Sequence, residues 1–205
     1  MTDNYARLVQ ANLERLDPGR PDRLSECLPA RREKNEWLFA AFGRHCRLSR
    51  DGITLDGRPE QGVMGILISL YALHAGPAPL VLAPLRAYRD FEGSAPYAAA
   101  FARHTEKILE PHAARLMAHG GRLRQAFQGD PTPAGTPGDA AFVVRPLPKI
   151  ALCYILYAAD EEFPAAATCL FSSNADAFLP LDALADVGEY TSRRLIQLAD
   201  TGTLE

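Results

Sequence analysis

Three carboxylates stand side by side at Asp160, Glu161 and Glu162, between an apolar run that ends at Ala159 and another that resumes after Pro164. In extended chain Asp160 and Glu162 point to one side and Glu161 to the other. A pair on one side suits two kinds of chemistry. It can contribute to a hard-cation site, which needs about six oxygens or more and so further help from water, backbone or a distant acid such as Asp130 or Asp176. It can also act as general acid and base, if a pocket drives the two pKa values apart. The competing reading is a turn in which Asp160 opens the bend, the glutamates keep the tip in water and Phe163 tucks into the core.

A second group is Arg86, Tyr88, Arg89, Asp90 and Glu92 in "LRAYRDFEG". Either arginine has the planar fork that binds a ligand carboxylate or phosphate bidentately. Equally, both can pair with the protein's own acids, which the C-terminal third supplies. The histidines are His45, His74, His104, His112 and His119, and no two stand three or four apart. His112 and His119 share a helix face but sit about 10.5 Å apart along it, too far for one ion. His74 closes an apolar segment, where a protonated imidazole also suits a helix C-terminus. The candidate functional cluster is therefore Asp160, Glu162, Phe163, His74, Arg86 and Arg89, with no metal assigned and with any catalytic residue and any cofactor left unknown. No phosphate-binding loop, dinucleotide fingerprint, nucleophile elbow or H-E-x-x-H stands in the chain.

These residues must be held by elements that the hydrophobic pattern predicts. Asp3 to Leu16 reads as an amphipathic helix with Leu8, Leu13 and Leu16 among its apolar positions, stopped by Pro18 and Gly19. A polar stretch to about Glu36 has room for one short helix. "WLFAAFG", "HCRLS" and "ITL" read as a small antiparallel meander from Trp37 to Asp56, with Asp51-Gly52 as a hairpin signal. Glu60 to His74 reads as a helix apolar nearly all round, hence buried, with Gly76 as its C′ residue and Pro77 and Pro79 beyond. The segment from Leu80 to Gly93 reads as extended with a break at Pro84. Ser94 is placed to cap a helix opening with Pro96 and carrying Phe101, Thr105 and Ile108 on one face. Pro111 should kink it, and Gly120-Gly121 should end it. "GDPTPAGTPGD" over 129–139 reads as a flexible surface loop. "AAFVV" and "KIALCYILY" read as strands, and "AATCLF" is a third strand candidate whose alanines leave helix open; as a strand it puts the three acids at a hairpin tip. Leu181 to Asp200 reads as the last helix, with Gly202 as its stop. The expected fold class is α+β: one domain over 1–205 with a mainly antiparallel sheet packed by helices, and residues 1–35 as an N-terminal helical arm.

Composition sets outer limits. The 205 residues are 47% hydrophobic and 23% charged, enough for a sizeable core. The net charge of −3 is uneven: from Asp160 onward nine acids face two arginines, −7 in all, leaving +4 on the rest. An acidic C-terminal third argues against nucleic acid as the partner. The longest apolar stretch, Val63 to Ala75, is short of the ~20 residues of a membrane helix. Cys27, Cys46, Cys153 and Cys169 are widely spaced, with no C-x-x-C, and no signal segment opens the chain. The expectation is a cytoplasmic protein with reduced thiols, without membrane or nucleic-acid partners.

The landmarks together resemble a prokaryotic family known as domain of unknown function 3786. They are "FGRHCRLSRDG", "GILISLYALHAGPAPL", "YRDFEG" followed by "YAAAF", Gly120-Gly121, "RPLPKIAL" and "ADEEFPAAATCLFSSNADAFLPLDAL", in that order from about Glu36 to Leu198. The resemblance implies a soluble protein of anaerobic bacteria and archaea with no established activity. Some relatives carry a cysteine-rich iron–sulfur module similar to that of corrinoid proteins, which implies a link to corrinoid or one-carbon metabolism. Here the four cysteines do not form that module. Tyr157 stands where the family often has Trp, and Ser172 where it often has Asp, which weakens a metal site in the acidic loop. The leading expectation is a non-catalytic binding or accessory module whose partner is a protein or a cofactor-bearing complex. A small enzyme using the acidic-loop pair, metal-assisted or not, is one alternative. A homo-oligomer burying the apolar "PAPLVLAPL" segment is the other.

Overall fold

The computed structural model describes residues 2–16 and 21–201. The expected helix stops at Pro18-Gly19 and Gly202 lie outside the described residues. Helix α1 is Thr2–Glu14, α2 is Pro21–Cys27, and five short strands follow: β1 Arg31–Glu33, β2 Glu36–Ala41, β3 Arg44–Leu48, β4 Ile53–Leu55 and β5 Arg58–Pro59. They form one antiparallel meander in chain order. It is longer than expected, because β1 takes the end of the supposed helical arm. Along β2 and β3 burial alternates: Trp37, Phe39, Ala41, Cys46 and Leu48 face the core, while Leu38, Ala40, His45 and Arg47 face out. In α1 Val9 and Leu13 are buried, as is Leu16 just beyond its end; Leu8, one of the expected apolar positions, is exposed.

Helix α3, Val63–His74, starts three residues later than predicted and lies against α1. Asn12 Nδ2 donates to Ser69 Oγ at 3.0 Å across that contact. Gly65, Leu67, Ile68, Ser69, Tyr71 and Ala72 are buried on the face turned to the core, while Ile66, Leu70 and Leu73 on the other face are half-buried. Residues 75–85 then run without regular structure, with a cis bond at Ala83-Pro84.

The second sheet holds β6 Arg86–Ala87, β7 Ala140–Leu147, β8 Ile150–Tyr157 and β9 Ala166–Phe171, in the spatial order β6-β9-β8-β7, antiparallel throughout. The fold class is thus α+β as expected, with two antiparallel sheets instead of one. Strand β8 is buried on both faces. Leu152, Tyr154 and Leu156 join the main core under the helices. Ala151, Cys153 and Ile155 join a smaller core covered by Leu80, Leu82 and Leu85 of the irregular strap. The strap's leucines therefore cover their own sheet, and Val81 between them is exposed. Asn174 ties the strap down: its Oδ1 accepts the Val81 N–H and its Nδ2 donates to Pro79 O, both at 2.9 Å.

The two sheets meet at the β2–β3 turn. Phe42 and Gly43 both have positive φ, 51° and 68°, as a two-residue turn of this hand demands. Phenylalanine is a poor choice for that backbone. It is held there because its ring is fully buried and its N–H donates to Pro146 O of β7 at 2.7 Å.

From Ala95 to Ala126 the chain forms one interrupted helical rod. It comprises α4 (Ala95–Phe101), a wide π-helical turn (Ala102–Glu106), a tight 3₁₀ stretch holding Pro111 (Lys107–His112) and α5 (Ala113–Ala126). The break falls where proline predicted it. Three details differ from expectation. Ser94 makes no capping bond, and its hydroxyl is buried without a partner among the described residues. The inward face is Phe101, Thr105 and Leu109, not Ile108, because the wide turn stretches the repeat to four residues. Gly120-Gly121 does not end the helix: α5 passes through, and Gly120 lets it close on Phe142, whose ring would stand 3.0 Å from a β-carbon there. Helix α6, Leu181–Thr201, packs along this rod with Leu184, Thr191, Leu195 and Leu198 buried.

Candidate functional site

The acidic tip is a hairpin turn between β8 and β9. Asp160 does not share a side with Glu162, because the chain there is bent and not extended. Its N–H donates to Phe163 O at 2.9 Å, and its Oδ1 accepts the N–H of Glu162 at 2.8 Å and of Phe163 at 2.7 Å. Those two donors hold the Asp160 carboxyl below its ordinary value. Phe163, expected in the core, is 66% exposed. His74 is exposed at the end of α3, whose last backbone bond runs from Ala75 N–H to Tyr71 O at 2.8 Å.

The two arginines part company. Arg86 sits in β6 opposite Phe171 and is spent on the protein itself. Its Nη1 donates to Ser173 O at 3.1 Å and reaches Asp176 at 3.5 Å, its Nη2 donates to Asp90 O at 2.8 Å, and its guanidinium lies 4.1 Å from the Phe91 ring centroid. Arg89 stands three residues on, in the 3₁₀ turn Tyr88–Asp90 that carries the chain away from the sheet. It is exposed and forms no ion pair among the described residues. The acidic tip and Arg86 lie at opposite ends of six-residue β9, about 15 Å or more apart at strand rise, so the predicted cluster does not converge.

Arg89 instead lines a cleft of about 420 Å³ with Ala87, Tyr88, Phe101, Glu106, Thr168 and Leu170. Its floor is a rigid aromatic group. Tyr88 stacks on Phe101 with centroids 4.5 Å apart, and Phe171 meets Phe101 at 5.6 Å and Phe91 edge-on at 5.7 Å. The Tyr88 hydroxyl donates to Leu181 O at 2.8 Å, and burial pushes its pKa up to about 12.

Glu106 is the residue that sequence reasoning missed. It ends the π turn and accepts the Cys169 N–H through Oε1 at 3.0 Å. Burial pushes its carboxyl above the ordinary value, against the pull of that N–H and of Arg89; Glu110 adds to the push. Beneath it the Cys169 thiol is fully buried, and burial first, then Glu106, drive it well above the usual thiol value. That thiol is no nucleophile at neutral pH. The cleft therefore offers an unpaired guanidinium for an anion, a half-buried carboxyl for a hydrogen-bonding group and an apolar floor. The one signal in the sequence was "YRDFEG", which supplies half of it.

A larger cleft of about 550 Å³ lies between the outer face of the first sheet and the end of α5, with Arg31, His45, Arg47, Gln128 and Arg145 on its walls. Its cations are already matched: Arg31 with Glu33, Arg47 with Glu36 and Arg145 with Asp130 through two bonds. Arg89, by contrast, forms no ion pair among the described residues. Among the described residues no three His, Cys, Asp or Glu side chains gather as a metal site. Nor is any helix among them long and apolar enough to cross a membrane.

Residues 20–194 match the family described as "Domain of unknown function (DUF3786)", and the chain belongs to that family. No curated protein matches the chain, and no solved structure does.

Proposed function

We propose that this member of the DUF3786 family is a non-catalytic binding module of the cytosol, and that its binding site is the cleft between Arg89 and Glu106. The observation that carries the reading is the contrast between two arginines three residues apart. Arg86 is saturated by Ser173, Asp90, Asp176 and Phe91, while Arg89 has no such partner and borders a cleft with a desolvated carboxyl in its wall. An uncommitted guanidinium beside an apolar floor recognises a carboxylate or phosphate attached to a less polar body. The partner is a protein or a cofactor-bearing complex presenting such a group.

The test is a titration of ¹⁵N-labelled protein with N-acetylglutamate amide and, separately, inorganic phosphate. The expected result is saturable shifts at Ala87, Arg89, Glu106 and Thr168 that disappear in Arg89→Gln. Shifts confined to other surfaces, or shifts that survive in Arg89→Gln, would overturn the assignment.

A further inference from the structure

The outer face of the first sheet carries its charge in rows. Register places Arg31, Leu38 and Arg47 side by side on β1, β2 and β3, with Ala40 and His45 as the next row on the same face. The Cα atoms of Arg31 and Arg47 therefore stand about 10 Å apart, with Leu38 between them. This face is one wall of the larger cleft, the 550 Å³ one, and Gln128, Arg145 and Pro148 stand on the other. Three guanidiniums and the His45 imidazole border that cleft, and no carboxylate does. Glu33 and Glu36, which pair with Arg31 and Arg47, face each other in the row beyond it. Both pairs are exposed: the Arg31 side chain is 73% in water and the Arg47 side chain 52%. Exposed pairs hold weakly and give way to a better acceptor. Arg145 is different. Asp130 takes its Nε and Nη2, which fixes the plane of the guanidinium, while its Nη1 forms no hydrogen bond among the described residues.

We infer that the larger cleft is a second binding site, for an organic diphosphate of the nucleoside diphosphate class. Charge sets the number of phosphates. A phosphate monoester carries close to two negative charges at neutral pH, one short of the three guanidiniums, and a second phosphate makes up the difference. Position sets their places. Arg31 and Arg47 flank a phosphate lying over Leu38, and Arg145 meets its neighbour from the other wall through Nη1. The planar fork of arginine suits phosphate oxygens on either side. A cleft of this volume takes more than the phosphates alone. Leu38, Ala40, Pro29 and Pro148 supply the apolar surface on which the rest of the ligand lies. Arg89 borders the other cleft and has no part in this site.

The probes are ADP, pyrophosphate and adenosine, each titrated by calorimetry and placed by shifts in ¹⁵N-labelled protein. ADP should bind saturably, with shifts at Leu38, Ala40, His45 and Gln128. Pyrophosphate should bind about ten-fold more weakly for want of the apolar contact, and adenosine should not bind measurably. Arg47→Gln should lower ADP affinity about ten-fold, the worth of one charge-assisted bond. Arg58→Gln removes the same charge from an exposed position on the same sheet outside the cleft, and should leave ADP affinity within about two-fold of wild type, as should Arg89→Gln. Equal losses in Arg47→Gln and Arg58→Gln would reveal general attraction to a basic surface and overturn the inference. ADP shifts confined to other surfaces would overturn it too, as would adenosine or pyrophosphate binding as tightly as ADP. None of these results bears on the Arg89 cleft, which is read with N-acetylglutamate amide.

Discussion

Replacing Gly188 by alanine sets two opposed effects against each other at the back of the cleft. Gly188 lies inside α6 where it passes beneath the helical rod. A helix-interior alanine ordinarily stabilises by about 0.5–1 kcal/mol relative to glycine. Here the new β-carbon would stand 2.6 Å from Phe101 Cε2, 3.0 Å from Thr105 Oγ1 and 3.1 Å from Thr105 Cγ2, inside the 3.4 Å where ordinary contact begins. The Phe101 ring has no room to yield, being stacked on Tyr88 and backed by Phe171. Overpacking of this kind costs about 1–3 kcal/mol. The clash outweighs the helix gain, leaving about 1–2 kcal/mol of destabilisation, a fall in melting temperature of about 2–8 °C for a chain of this size. Thermal melts followed by circular dichroism give the number. Phe101→Leu, which shortens the ring, should restore part of the loss in the double variant, with a coupling of about 1 kcal/mol. A Gly188→Ala protein that melts at or above the wild type would refute the packing described for this wall.

Three further outcomes follow from named contacts. Asn174→Ala removes both strap bonds and should cost about 1–3 kcal/mol in urea unfolding, with faster alkylation of Cys153, which lies beneath the strap's leucines. Arg86→Ala should cost about 2–3 kcal/mol, because charge-assisted bonds to two carbonyls and the stacking on Phe91 go together. Glu106 has its folded-state value raised above the unfolded one near 4.5, so its contribution is fully present below that pH and is lost as pH rises through the folded value. Glu106→Gln keeps an acceptor for Cys169 but cannot ionise. Its stability relative to wild type should therefore climb between pH 4 and pH 7, and a constant difference across that range would contradict the assignment.

Much of the scaffold could be read from local pattern because local physics sets it. Alternation marked β2 and β3, an all-round apolar helix marked α3, and Pro111 marked the break in the rod. The hairpin with its acidic tip was legible too, but the fate of Phe163 was not, since a turn residue points outward or inward according to what packs beside it. Gly120-Gly121 read as a stop because glycine is a poor helix former; the close approach of Phe142 that it serves is a tertiary fact. The same limit explains Glu106. On an ordinary helix it falls off the inward face marked by Phe101 and Thr105, and only the π turn brings its carboxyl to the edge of β9. Arg86 and Arg89 are alike in sequence. They separate because one belongs to a strand that pairs with Phe171 and the other to the turn that leaves it.

The separation of Arg86 from Arg89 decides whether the Arg89 cleft binds an anion. The measurement is the dissociation constant of N-acetylglutamate amide for the wild type and for Arg89→Gln, with melting temperatures recorded on the same samples. The expected result is at least about a ten-fold loss of affinity in Arg89→Gln, with a melting temperature within about 2 °C of wild type, as suits an exposed side chain that forms no ion pair among the described residues. Unchanged affinity in Arg89→Gln would contradict it.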